Sequence, residues 1–345
     1  MKAVTIQEHG GPEVVQVGEV QDPVPEDGEV LIEVRAAALN HLDIWVRGGA
    51  KAFSLDMPHV LGTDAAGEVI GLGPDVHGVE AGDEVVIYPG LPCGCCEHCV
   101  RGEHSQCESF GIVGATRPGT YAEKVTVPAA NVRPRPQNLS FAEAAALPVA
   151  YLTAWRMLMH RACLEPGETV LIHGIGGGVA LAGLQICDLL GAEAIVTSSS
   201  HEKLQRAADM GAKHTINYLE TEDVAEVVMD VTGGRGVDVA LDSVGAQTWG
   251  INLRAVRRGG RVVICGVTTG PTAETDLQAL YWNQISLLGS TLGSLDEFRQ
   301  LLRTVETGDL KPLLDSVHSL EQAPQAMEKM EKGEQMGKIV LDLTA

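Results

Sequence analysis

Hydrophobic and polar positions alternate in short runs through the first third of the chain. Val30-Leu31-Ile32-Glu33-Val34 and Glu84-Val85-Val86-Ile87-Tyr88 are separated by turn clusters such as Pro25-Glu26-Asp27-Gly28. Over residues 1–135 this rhythm predicts a β-rich, barrel-like organisation, opened by a short strand at Met1–Ile6. Residues 140–162 turn helical. Ser140 is an N-cap, Glu143 three residues later completes a capping box, and Pro148 predicts a break or kink inside the stretch. From 168 to about 291 strands alternate with helices. Strands are predicted at 169–172, 194–197, 214–217, 237–241, 261–265 and 285–288, with helices at 178–190 and 201–210 and between most of the others. That alternation implies a parallel sheet covered on both faces. A helix at 295–307 and a last strand at 338–341 leave too little chain for a third domain and are expected to return to the first. The expected organisation is therefore α/β: 1–150 with a lobe at about 90–110, then 151–291, then the returning 292–345.

Composition narrows the function. With 345 residues and 45% hydrophobic content, two domains can each bury a core. The 40 glycines are spread along the chain, which suits turns and close backbone approaches. The formal charge of -21 opposes binding to nucleic acid or anionic membranes. No apolar run approaches the roughly 18 residues of a membrane span, and the start of the chain lacks a signal-peptide pattern. A cytoplasmic setting with reduced cysteines is the expectation.

Cys93, Cys96, Cys99 and Cys107 follow the spacing C-x2-C-x2-C-x7-C. Four thiolates in a compact, glycine-bearing loop match one tetrahedral zinc per chain with no open position, hence a structural ion. Cys95 is a fifth thiol, either a spectator or an alternative ligand. Cys163, Cys187 and Cys265 sit in apolar surroundings and read as small core residues.

After the strand at 169–172 comes His173-Gly174-Ile175-Gly176-Gly177-Gly178-Val179, then a helix. Glycines there let the backbone approach a pyrophosphate held by the helix N-terminus. The full G-x-G-x-x-G pattern fails at Val179, but the strand–turn–helix context supports a dinucleotide site. The next strand ends in Thr197-Ser198-Ser199-Ser200, with no acid to hold a ribose 2′-hydroxyl. Ser199 and Lys203 could instead meet the 2′-phosphate of NADPH.

These residues, with Ala38-Leu39-Asn40-His41-Leu42-Asp43, Gly62-Thr63-Asp64-Ala65-Ala66-Gly67-Glu68-Val69 and Leu152-Thr153-Ala154-Trp155, carry a resemblance. The chain resembles the medium-chain dehydrogenase/reductase superfamily, in its quinone oxidoreductase-like and zinc alcohol dehydrogenase-like group, over essentially its whole length. The resemblance implies a GroES-like β-rich catalytic domain, a Rossmann doubly wound parallel-sheet domain, and an active site in the cleft between them. It also implies a homodimer or homotetramer assembled through the last Rossmann strands, here about 285–291. The family's three catalytic zinc ligands fall at Asn40, Thr63 and near Val149, so all three are replaced. Loss of that Lewis acid argues against simple alcohol dehydrogenation.

Zinc-independent members of the group reduce quinones, enones or enoyl thioesters with NADPH. By resemblance Asn40, Thr63 and His41 are candidate donors to the developing oxyanion, and Asp64 a further site residue. A thioester would need a basic patch, for which Arg47 and Lys51 are the candidates. Thr153 resembles the threonine beside the nicotinamide and Tyr218 a tyrosine near the NADP phosphate. Gly245, Gly266 and Val267 match strand ends facing the cofactor, and Lys338 a basic residue reaching the pyrophosphate. Two alternatives stay open: an alcohol dehydrogenase with an unusual zinc site built from His41, His59 and Asp64, and a non-enzymatic NADPH-binding protein.

Overall fold

The computed structural model describes residues 1–50 and 54–344. The chain forms two compact units, Met1–Leu152 with Leu292–Ala345, and Thr153–Thr291.

The first unit is built on the strand Glu29–Ala38, whose even-numbered side chains Val30, Ile32 and Val34 are buried while Glu29, Leu31 and Glu33 are half-exposed. It pairs antiparallel with Asp64–Leu72, with Lys124–Pro128 and with the late strand Lys338–Asp342. Glu84–Ile87 and Val132–Pro134 extend the sheet on one side and Leu314–Ser319 on the other. Lys2–Ile6, Val15–Glu19 and His59–Val60 form a smaller antiparallel sheet. The core beneath gathers Val4, Ile32, Leu61, Val69, Ile87 and Tyr121 with Met327 and Leu341 from the C-terminal segment.

Several local signals act as their chemistry dictates. Ser140 caps Phe141–Ala145 by accepting from the Glu143 amide, and Glu143 reaches back to the Ser140 amide at 2.8 Å. Helix resumes at Pro148–Trp155, so Pro148 opens a new helix rather than kinking one, at the position where its missing N–H costs nothing. A π-helical turn, Arg156–Arg161, follows. The helix His41–Arg47, the edge strand Leu314–Ser319 and the helix Ala323–Glu331 are among the elements that the sequence pattern does not announce.

In the second unit six strands lie in the order 214–217, 193–198, 169–172, 237–242, 256–264, 286–289, and every pairing is parallel. This is the doubly wound order 3-2-1-4-5-6. The helix Gly178–Leu190 ends on Gly191 at φ +68. It buries Leu181, Leu184 and Ile186, and a methyl group at Gly183 would meet Leu241 Cδ1 at 3.0 Å. Gly183 thus gives the close helix–strand approach that the fingerprint ordinarily assigns to its third glycine, one turn beyond Val179. Cys187 is buried and Cys265 partly so. Cys163 corrects its expectation: it is exposed, at φ +48 just after the π-helical turn.

Candidate functional site

The cysteine lobe is short on apolar core and long on turns. Gly94 and Gly102 adopt φ +76 and +82, where a side chain would be strained. Cys96 precedes the short helix Glu97–Val100, and Cys107 follows the turn His104–Gln106. This winding brings the sulfurs of Cys93, Cys96, Cys99 and Cys107 within 4.8 Å of one another. Zinc–sulfur bonds of about 2.3 Å in a tetrahedron require S···S edges near 3.8 Å, and Cys93 to Cys99 is 3.9 Å. The amides of Cys95 and Cys96 hold the Cys93 thiol down to about 6, while burial pushes the Cys99 thiol up to about 12. The donor set fits a closed zinc site. Cys95 stands outside the four, exposed, with its sulfur 3.7 Å from that of Cys93. Among the described residues no other group of three or more metal-ligating side chains converges. His41, His59 and Asp64 therefore do not form the alternative site. The His59 ring instead bonds the Gly114 carbonyl at 2.9 Å.

A buried polar cluster sits where three strands of the first unit come together. Register places Ala38 opposite both Asp64 and Val340, so the chain leaving Ala38 carries Asn40 past Asp64 and Lys338. Asn40 is the N-cap of His41–Arg47, and its amide donates to Asp43 Oδ2 at 2.7 Å. Asp43 also accepts from Tyr121 Oη at 2.6 Å and from Thr63 Oγ1 at 3.1 Å. Gly62 adopts φ +101, and any side chain there would strike the Tyr121 ring. Asp64 accepts from the Val149 amide at 3.0 Å and from Asn40 Nδ2 at 2.9 Å.

Lys338 closes the cluster. Its Nζ lies 2.6 Å from Asn40 Oδ1, 2.7 Å from the Leu39 carbonyl and 3.4 Å from Asp64 Oδ2, and the residue is 4% exposed. Three donors meet three acceptors, so Lys338 is a partner of Asn40 and Asp64 and not the free base expected at a pyrophosphate. Burial pushes the Asp43 carboxyl up to about 6, against the pull of Tyr121 and the Asn40 amide. Burial also raises Asp64 and lowers Lys338, each opposed by the other's charge.

The cluster leaves few groups for a substrate. Asn40 Nδ2 is divided between Asp64 and the Ala38 carbonyl, and the Thr63 hydroxyl is given to Asp43. His41, half-buried at the first turn of its helix, is the one of the four candidates whose side chain has no hydrogen-bond partner among the described residues. Burial holds its ring below the usual histidine value, hence neutral at pH 7. Arg47 is buried and paired with Glu331, so it lends no charge to a phosphate patch. Lys51 lies outside the described residues.

In the second unit the strand Thr169–Ile172 runs into His173, and Gly174 and Gly176 turn the chain at φ +67 and +131. Gly177 is the N-cap of Gly178–Leu190, with Val179 in its first turn and no side-chain hydrogen bond capping the helix. A dinucleotide pyrophosphate fits such a cradle of backbone N–H groups. Ser199 is exposed just beyond the strand Glu193–Ser198, and Lys203 lies in the first turn of the helix His201–Asp209, capped by Ser200. The Tyr218 amide bonds the Ser198 carbonyl at 3.1 Å, which sets Tyr218 beside the same strand end. Glu220 is the nearby acid that sequence inspection missed, and it pairs with His201 at 2.6 Å. Gly245 and Gly266 each lack room for a side chain: a methyl group on Gly245 would meet the Gly270 carbonyl oxygen at 2.9 Å and the Val267 Cα at 3.0 Å, and one on Gly266 the Ser243 carbonyl oxygen at 2.6 Å. Val267 is 42% exposed on that loop, and Thr153 is buried.

Comparison with known proteins agrees with both units. Residues 26–137 match the alcohol dehydrogenase GroES-like domain, and residues 178–307 the zinc-binding dehydrogenase family. The chain is 32% identical to an NAD-dependent alcohol dehydrogenase of Sulfolobus acidocaldarius, covering 100% of each. It is 32% identical to a quinone oxidoreductase of Mus musculus, over 99% of this chain and 97% of the mouse protein. A crystal structure of an NAD-dependent alcohol dehydrogenase superposes with a TM-score of 0.95 at 43% identity, covering 99% of this chain and 100% of the other. The chain belongs to the medium-chain dehydrogenase/reductase superfamily, in the oxidoreductase group that holds zinc-binding alcohol dehydrogenases and quinone oxidoreductases.

Proposed function

We propose that this oxidoreductase reduces a small enone or quinone with NADPH, holds one structural zinc in the cysteine lobe, and uses no catalytic metal. One observation carries the reading: the Lys338 ammonium lies 2.6 Å from Asn40 Oδ1, at the residue where the resemblance puts a zinc ligand. A divalent ion beside a buried ammonium would be repelled, and the carboxylate of Asp64 is already shared among Lys338, Asn40 and Val149.

When bound, the dinucleotide supplies a hydride from its nicotinamide to an electron-poor carbon conjugated to a carbonyl. Negative charge then develops on the carbonyl oxygen, and a positioned donor stabilises it. His41 is the best-suited group, because its neutral ring has an N–H to offer and no internal partner that competes. The same ring can relay a proton to the reduced product, giving up its N–H while its other nitrogen takes a proton from solvent. Asn40, Thr63 and Asp64 act behind it by fixing the start of its helix. The loss of Arg47 from any phosphate patch disfavours a thioester substrate.

The NADPH preference rests on Ser199, Lys203 and Tyr218 around one strand end, with the neighbouring acid Glu220 engaged by His201. A homodimer is supported by the edge strand Ser286–Gly289, beside which Leu277, Tyr281 and Trp282 are exposed. The test is steady-state turnover of cyclohexenone and benzoquinone with NADPH and with NADH, beside oxidation of ethanol and isopropanol with either oxidised cofactor. The expected result is reduction of the activated carbonyls with KM for NADPH at least about tenfold below that for NADH, a difference of about 1.4 kcal/mol. Faster NAD-linked alcohol oxidation would overturn the reading.

A further inference from the structure

Deep in the second unit a buried polar chain joins the ends of three strands. Asp242, fully buried at the end of Val237–Asp242, accepts four hydrogen bonds. Oδ1 takes the amides of Val244 at 2.6 Å and Gly245 at 3.0 Å. Oδ2 takes Thr248 Oγ1 at 2.7 Å and Asn252 Nδ2 at 2.5 Å. Because the Asn252 NH2 faces the carboxylate, its Oδ1 faces His173 Nε2 at 2.9 Å. An amide oxygen only accepts, so Nε2 carries the proton.

Burial keeps the His173 ring neutral, which leaves Nδ1 as an acceptor. Thr197 Oγ1, 3.2 Å away, therefore donates to Nδ1 and is free to accept the Gly174 amide at 3.3 Å. The Thr197 carbonyl meanwhile takes the Ile175 amide at 2.9 Å. Every link has a fixed direction, from the Gly174 N–H through Thr197 to His173, and from His173 through Asn252 to Asp242.

The geometry points to this chain, Thr197–His173–Asn252–Asp242, as a positioning device that sets dinucleotide affinity by locking three cofactor loops into one register. The three are the turn after His173, the hydroxyl-rich end at Ser198–Ser200, and the turn Val244–Thr248. The inference rests on the dinucleotide-binding reading above. None of the four residues needs to touch the cofactor. Their effect is to remove alternative conformations of the loops, so that binding does not bear the cost of ordering them.

Thr197→Val keeps the shape of the side chain and deletes the hydroxyl that accepts from the Gly174 amide and donates to His173 Nδ1. The dissociation constant for NADPH, followed by fluorescence titration on the full chain, is expected to rise about tenfold. The loss should fall on KM for the dinucleotide more than on kcat, and Thr197→Ser should restore affinity. Thr248→Val, which cuts the other end at the Asp242 carboxylate, should weaken binding in the same direction and serves if Thr197→Val does not fold. An unchanged dissociation constant in a folded Thr197→Val or Thr248→Val protein, whatever its melting temperature, overturns the inference, since the chain would then be core packing alone. Wild-type protein that binds neither NADPH nor NADH would overturn the proposed function as well.

Discussion

Each unit buries a polar network, and the two are built in opposite ways. The cluster in the first unit is charged: Asp43, Asp64 and Lys338, with Asn40, Thr63 and Tyr121 as neutral links. The chain in the second unit holds one carboxylate, Asp242, and continues through an amide, a neutral imidazole and a hydroxyl. The charged cluster satisfies itself, because the Lys338 donors and the Asn40 and Thr63 donors all end on internal acceptors. The chain in the second unit ends instead at the backbone amides of Gly174, Val244 and Gly245, in the loops that follow the strands. On the proposed function, the first arrangement fills the place of a catalytic metal and the second prepares loops to receive the dinucleotide. A buried network can thus close a site or preorganise one, depending on whether its last donors point inward or to loops.

The largest expected effect comes from breaking the charge balance of the first cluster. Lys338→Met leaves Asp64 buried without its cation and should lower unfolding stability by about 3–5 kcal/mol. Adding Asp64→Asn should recover part of the loss, since the two sites are in contact. Denaturant unfolding measures both, and a loss under about 1 kcal/mol for the single variant would show that Lys338 does not hold the cluster together.

Asp43 gives the next effect, and its sign follows from linkage. Its carboxyl is raised to about 6 in the folded chain against 3.8 for the ordinary group, so the folded state binds the proton more tightly. The stabilisation is full below the unfolded value and is lost as pH rises through about 6, by about 3 kcal/mol in all. The stability difference between wild type and Asp43→Asn should therefore shrink by about that amount between about pH 4 and pH 7. A flat difference would mean that the Tyr121 and Asn40 donors already offset burial. The smallest effect belongs to the neutral network, where the tenfold change expected for Thr197→Val corresponds to about 1.4 kcal/mol.

Much of this architecture was legible in the residues, and the reasons differ by region. Central parallel strands are buried on both faces and read as largely apolar runs, so 169–172 and 237–241 fall on Thr169–Ile172 and Val237–Asp242, and the helix at 178–190 matches Gly178–Leu190. The four-cysteine spacing carried its chemistry in the ligand types alone. The helix His41–Arg47 went unread because it is seven residues long and rich in aromatic and β-branched side chains, leaving Asn40 and Asp43 as its only signal. Leu314–Ser319 is an edge strand of half-exposed, mostly polar residues, which blurs its alternation. The true partner of Lys338 was hidden because Asn40 lies 298 positions away, and only strand pairing brings them together. Asp242, Asn252 and His173 were missed for the same reason: each looks ordinary until three strand ends meet.

The proposed chemistry requires that Lys338 and Asn40 stand in place of a catalytic metal. Metal analysis of the purified full chain tests this directly, with Cys99→Ser as the control that assigns the ion to the lobe. One zinc per chain in wild type and close to none in Cys99→Ser is the expected result. Two zincs per chain, or one that survives Cys99→Ser, would place a metal outside the cysteine lobe and contradict the account.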